Sequence, residues 1–250
     1  MNAGRWLFYF AAPPRLAALA AQLVRPLLVV AGLLLLAGLW LGFGVAPADA
    51  VQGQGYRLIY LHVPAAWMSM FIYALMAAWS FVGLVWRVRT AFWLSHALAP
   101  TGAVFAALSL ATGSLWGQPM WGTWWVWDAR LSTSLLLLFL YLGYLALLQA
   151  HDEGERADRG CAVLALLGAL NLPVIYFSVR WWNTLHQGAT LTPGQAQMAP
   201  VMLAGLLLMT AAAWAYAAAT ALRRVQLVIA ERQLALRWQD ELPQAEVLHA

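Results

Sequence analysis

The chain has 250 residues, is 63% hydrophobic and only 10% charged, and carries a formal net charge of +4 with a mean hydropathy of +0.70. Soluble globular domains carry about 25% charged residues, so a soluble protein is excluded and the chain reads as all-α and integral to a membrane. All fourteen basic residues are arginine. Their excess belongs to loops and tails rather than to a nucleic-acid face, and the single Cys161 excludes an internal disulfide or a CxxC redox or metal pair.

Six apolar stretches are long enough to cross a hydrocarbon core of roughly 30 Å as helices of about 20 residues. They lie near residues 27–47, 63–85, 93–115, 131–149, 161–180 and 199–221. Pro26 and Pro64 stand at the expected starts of the first two, where a missing N–H costs little. Pro100 and Pro173 fall inside spans and predict kinks. Arg5, Arg15, Arg25, Arg87, Arg89, Arg156, Arg159, Arg223, Arg224, Arg232 and Arg237 share one side, leaving only Arg57, Arg130 and Arg180 on the other. The positive-inside rule then puts both termini in the cytoplasm and turns three loops outward: 48–62, the segment around 116–130, and 181–198.

Residues 1–242 therefore read as one six-helix membrane domain, followed by a disordered tail over 243–250. Ala48-Asp49-Ala50 resembles a signal-peptidase site, but the preceding apolar run is longer than the 7–15 residues of a typical signal core, which favours a retained anchor. Residues 223–238 read as a basic amphipathic continuation, with Leu227, Leu234 and Trp238 among polar residues. It is either a helix on the inner leaflet or a docking element.

The second outer loop is the most unusual part of the chain. Trp116, Trp121, Trp124, Trp125 and Trp127 fall within twelve residues, interrupted by Gly117, Pro119 and Gly122 and followed by Asp128 and Arg130. Indoles collect at membrane interfaces in any protein, which accounts for Trp40, Trp86, Trp93, Trp181 and Trp182, but an anchoring belt needs one or two per helix end. Five together, with glycines that let a ligand approach the backbone, point to a large flat apolar ligand carrying charged groups. Asp128 can cap the following helix. Arg130 can snorkel, pair with Asp128 or meet a ligand carboxylate.

Of five histidines, only His62 and His186 lie on the outward side, one in each loop flanking the tryptophan segment. His96 sits near the cytoplasmic end of span three, and His151 and His249 lie in a cytoplasmic loop and the tail. Imidazole suits haem iron, and two histidines from different loops can approach a porphyrin from opposite faces. Each would need its second nitrogen fixed by an acceptor that the sequence does not identify.

The segment WGTWWVWDARL, from Trp121 to Leu131, resembles the tryptophan-rich WWD signature of the haem-handling proteins of cytochrome c maturation. Length, span count and one histidine in each flanking outer loop are similar to the CcmC branch of that family, over essentially the whole chain. Ser132 departs from the threonine common there but keeps the hydroxyl. The resemblance implies a multi-pass protein of the bacterial inner membrane that presents haem b on the periplasmic side to the haem chaperone CcmE. It also implies association with CcmD and with the ABC-type pair CcmA and CcmB, and no enzymatic activity of its own. Carried onto this chain, it makes His62 and His186 axial ligands of haem iron. Trp116, Trp121, Gly122, Trp124, Trp125, Trp127, Asp128 and Arg130 then form the platform. Two rival functions remain: a haem permease, which would need polar groups at mid-depth where few exist, and a b-type haem redox protein, whose histidines would be buried within spans.

Overall fold

In a computed structural model, the described residues are 12–150, 154–186, 191–192, 195–196 and 198–247, so His151 and His249 lie outside them. Helix α1 (Pro13–Leu39) opens on two prolines and runs on into a π-helical turn (Trp40–Val45). A 3-10 turn (Gln54–Leu58) leads directly into α2 (Ile59–Trp86), and α3 (Arg89–Trp121) follows. Then come α4 (Ala129–Ala150), α5 (Glu155–Ala169), α6 (Asn171–Trp181) and α7 (Pro200–Val247). A two-residue antiparallel pair, β1 (Leu191–Thr192) with β2 (Gln195–Ala196), lies between α6 and α7. Six helical segments are long and apolar enough to span a membrane, as the sequence predicts, with α5 and α6 forming one of them.

Three boundaries differ from the sequence reading. Pro26 and Pro64 lie inside helices rather than at their starts, because α1 begins at Pro13 and α2 begins at Ile59. The first helix gains its extra turns by packing: Leu16 and Ala20 are buried, and Leu16 clusters with Ala97, Val225 and Ile229. At the other end of the chain, α7 carries helix to Val247, past residue 243 where a disordered tail was expected. At the start of the stretch 223–238, Val225 and Ile229 are buried against Leu16 and Ala97, and Gln226 donates to the Ala17 carbonyl at 3.0 Å.

Pro173 breaks its span. Its ring would clash with the carbonyl four residues back, that of Ala169, and α5 ends there. Asn171, the polar residue at the break, is buried and donates to the Thr133 carbonyl at 2.9 Å, which ties the joint to α4. Pro100, by contrast, is carried within one continuous α3.

The core joins α2, α3, α4 and α5 through Met68, Ile72, Tyr73, Leu98, Phe105, Leu137, Tyr141, Tyr144, Cys161 and Ala165, while α1 packs along α7. Apolar surface gives no driving force between helices in lipid, so close backbone approach and polar bonds hold the bundle. Gly102 lets the Tyr141 ring sit against α3, and the Tyr141 hydroxyl donates to the Ser69 carbonyl at 2.7 Å. At the arginine-rich end, His96 bonds Tyr144 Oη at 2.8 Å and Asp158 at 2.9 Å, and Arg232 donates to the same carboxylate at 3.2 Å. That buried cluster links α3, α4, α5 and α7, with opposite charges compensated as burial requires.

Gly102→Ala places a Cβ inside van der Waals contact with the Tyr141 ring and is expected to destabilise by about 1–3 kcal/mol. Gly32→Ala, which meets nothing within 4 Å, serves as the control; thermal unfolding in detergent compares the two.

Candidate functional site

Successive spans bring the end of α1, the start of α2, the end of α3, the start of α4 and the end of α6 to the face opposite the arginine-rich end. Each piece is held by local chemistry. The Arg57 guanidinium donates to the carbonyls of Gly42 at 2.8 Å, Phe43 at 2.5 Å and Ala46 at 2.9 Å, and to Gln54 Oε1 at 2.5 Å. It thereby satisfies carbonyls left over where the first span ends. Arg57 does not line the cavity described below, which removes it from the candidate partners of a ligand carboxylate. The α3 helix stops at Gly122, whose positive φ of 73° is the conformation a helix end needs. The tryptophan segment is therefore half helix: Trp116 and Trp121 belong to α3, and only 122–128 is loop.

A cavity of about 410 Å³ opens among these elements, and its lining includes His62, Trp116, Trp121, Trp124, Trp125, Arg130 and His186. His62, near the start of α2, presents Nδ1 to the Ser109 carbonyl at 3.0 Å and to Thr112 Oγ1 at 3.2 Å, both on α3. Nδ1–H donating to the carbonyl leaves the Nε2 lone pair available to a metal, the arrangement a ligating histidine needs. Trp116 meets His62 edge-on at 5.8 Å between centroids, and its own Nε1 donates to Gln52 Oε1 at 2.9 Å.

His186 faces His62 with ring centroids 6.2 Å apart and planes at 42°, and Trp121 lies 6.3 Å from His186. Metal–imidazole bonds of about 2 Å, with each ring centroid roughly 1 Å farther out, set the centroids of an axial pair roughly 6 Å apart. Two histidines from separate loops thus stand at the spacing of an axial pair. Among the described residues no group of three or more His, Cys, Asp or Glu could hold a bare metal ion. A metal bringing its own equatorial ligands matches that set better than a free ion does.

The remaining lining defines the ligand's chemistry. Arg130 and Arg180 both line the cavity, and among the described residues no carboxylate does. Arg130 donates to the Ile175 carbonyl at 2.6 Å, using one of five N–H groups. The buried Nε1 of Trp125 has no hydrogen-bond partner among the described residues, although a buried indole N–H ordinarily has one. An apolar body ending in anionic groups fits this lining.

Three expected platform residues lie elsewhere. Gly122 ends α3 outside the cavity, and Trp127 is 78% exposed, packed edge-on against Trp125 at 5.4 Å. Asp128 caps α4, its Oδ1 accepting from the Leu131 N–H at 2.7 Å, and its Oδ2 accepts from the Thr184 hydroxyl. The capping role was readable from its place before an apolar run, whereas Thr184 gave no signal. Gln52, Ser109 and Thr112 were also missed. The last two were detectable as a polar pair three apart in an apolar span, hence on one helix face. His96 has both ring nitrogens engaged at the far end of the bundle and is no alternative ligand.

Residues 6–240 match the family model described as CcmC, heme exporter protein C. Among relatives bearing the name heme exporter protein C, that of Escherichia coli K12 is 54% identical over 185 residues, covering 74% of this chain and 75% of its own length. That of Haemophilus influenzae is 46% identical over 75% of this chain and 76% of its own length, and that of Bradyrhizobium diazoefficiens is 50% identical over 74% and 70%.

Arg57→Ala strands carbonyls at the end of the first span and is expected to cost about 2 kcal/mol or more. Arg180→Ala, which removes an exposed side chain, stays within about 0.5 kcal/mol. Unfolding midpoints in the same detergent distinguish them, and equal midpoints would contradict the structural role of Arg57.

Proposed function

The chain belongs to the CcmC family of heme exporter proteins, and from that premise we propose that it holds haem b at the outer face of the bacterial inner membrane and presents it to the chaperone CcmE. The observation that carries this reading is the pair His62 and His186 at 6.2 Å. In this reading both termini are cytoplasmic, as the distribution of arginines indicates. The tryptophan-lined cavity then faces the periplasm.

Each part of the site takes a role. His62 and His186 hold the iron from opposite faces of the ring. Trp116, Trp121, Trp124 and Trp125 cover the apolar macrocycle, where burial contributes about 25 cal/mol per Å². Arg130 and Arg180 pair with the propionates, as guanidinium groups suit carboxylates. Trp127, exposed beside the cavity, is placed to meet the chaperone. The protein makes and breaks no covalent bond in this scheme. Any ATP hydrolysis belongs to CcmA with CcmB, and CcmD associates in the membrane. Transport across the bilayer by this chain alone is disfavoured by its interior: below the site the core is apolar, and the buried polar side chains there are matched internally, as in the Ser80–Ser95 pair at 3.2 Å.

Purification in mild detergent beside the His62→Ala, His186→Ala double variant tests the reading. The wild type is expected to show a Soret band and sharp reduced α and β bands that the double variant loses, together with its ability to load CcmE. Equal spectra, or normal loading by the double variant, would overturn it. Vesicles given haem only inside should show no transfer outward by this protein alone.

A further inference from the structure

The cavity does not end at the histidines. Along α2 its lining runs from His62 through Ala66 and Trp67 to Met70, roughly 12 Å toward the middle of the bundle at the α-helical rise. Along α6 it takes in Ile175, Tyr176 and Val179 before Arg180. These two walls are not packed on each other: α2 packs on α3, α5 and α7, and α6 packs on α4 and α5. Among the described residues, the exposed members of the lining fall in two places. Trp124 and Arg180 are exposed at the tryptophan-lined end, and Trp67 (38%) and Tyr176 (57%) are exposed on the two sides of the α2–α6 gap. Phe71, one turn beyond Trp67 on the same face, stacks on Trp214 of α7 at 4.6 Å, and both rings are exposed, so this face of α2 looks to the flank of the bundle. On the opposite side α3 packs on α4, and the lining residues there, Leu110, Ser114, Leu131 and Ser134, are half-buried.

We infer that the cavity has a second mouth on its flank, between α2 and α6 with Trp67 and Tyr176 at its edges, through which a porphyrin passes sideways between the lipid and the histidine pair. The inference rests on the reading of His62 and His186 as haem ligands. The walls suit that passage, since Val63, Met70, Ile175 and Val179 offer apolar surface to a flat ring. Tyr176 and Arg180 stand one turn apart on α6 and both line the cavity. A porphyrin can therefore keep its carboxylates at the level of the guanidinium while its apolar edge slides past the tyrosine. Entry from lipid also spares the macrocycle a passage through water, where apolar surface is costly. The end mouth at Trp124 and Arg180 is left free for the aqueous side.

Three variants, Trp67→Cys, Tyr176→Cys and Leu36→Cys, test this after alkylation with a bulky maleimide. Cys161 is buried, and Leu36, 66% exposed on α1 and outside the cavity lining, is the control for a label that faces lipid. Each protein is reconstituted in vesicles of phosphatidylethanolamine and phosphatidylglycerol with ferric haem b dissolved in the bilayer. The growth of the low-spin Soret band gives uptake, and its decay on mixing with haem-free vesicles gives release. Labels at residues 67 and 176 should slow both by roughly tenfold or more and by the same factor, because a barrier in the path changes rates and not the end state. The final spectrum should stay that of the unlabelled protein, the Leu36 label should change neither rate, and unlabelled Trp67→Ala should speed both. Rates at 67 and 176 equal to the Leu36 control, with a normal final spectrum, would overturn the flank mouth and leave the haem reading intact. Loss of the final spectrum in labelled protein that keeps its unfolding midpoint would make these side chains part of the seat instead of its entrance, and would also overturn it. No low-spin spectrum in the unlabelled chain would remove the haem reading and the inference with it.

Discussion

The tryptophan-lined site depends on how α3 grips His62. One turn of α3 supplies the Ser109 carbonyl and the Thr112 hydroxyl to Nδ1, the next supplies Gly113 at its edge, and Trp116 closes the side. Because α2 and α3 are long, continuous and packed through the centre of the bundle, that grip fixes an imidazole relative to the whole membrane domain. Trp116 is itself fixed by Gln52 from the segment that Arg57 staples to the end of the first span. The rest of the cavity is built around a ring that is already aimed.

The two ends of the bundle resolve the same electrostatic problem in opposite ways. At the arginine-rich end, His96, Tyr144, Asp158 and Arg232 satisfy one another in a closed cluster, so the titratable groups there are spent on holding four helices. At the opposite end two imidazoles and two guanidinium groups line a cavity that no carboxylate lines among the described residues. Ligating and cationic groups around a cavity suit a guest, and buried clusters with matched charges mark architecture. The sequence separates His62 from His96 by the end of the bundle on which each falls, and their partners separate them by chemistry.

Much of this was legible beforehand. Six spans follow from apolar runs of sufficient length, and the structure brings His62, His186 and four of the five clustered tryptophans to one cavity. What escaped the sequence was contact between distant segments. Pro26 looked like a helix start because a long apolar run follows it, yet the Ala- and Leu-rich turns before it are themselves helical and pack on α7. Arg57 carried the right charge on the right side for a propionate, yet it is spent on three carbonyls that only the fold brings together. Trp127 and Asp128 belong to the signature segment but do not line the cavity, because a loop of seven residues between α3 and α4 cannot turn every side chain inward. Thr184, in a stretch with no periodicity, becomes meaningful only when Asp128 is found against it.

The central claim is that one haem iron sits between His62 and His186 at the outer face. The most direct test is an experimental structure of the haem-loaded protein in a lipid environment. The account predicts the iron within bonding distance of both Nε2 atoms, about 2 Å each, the ring against Trp121 and Trp125, and the propionates toward Arg130 and Arg180. An iron bound to other residues, or a haem lying outside the cavity lined by these histidines, would contradict it.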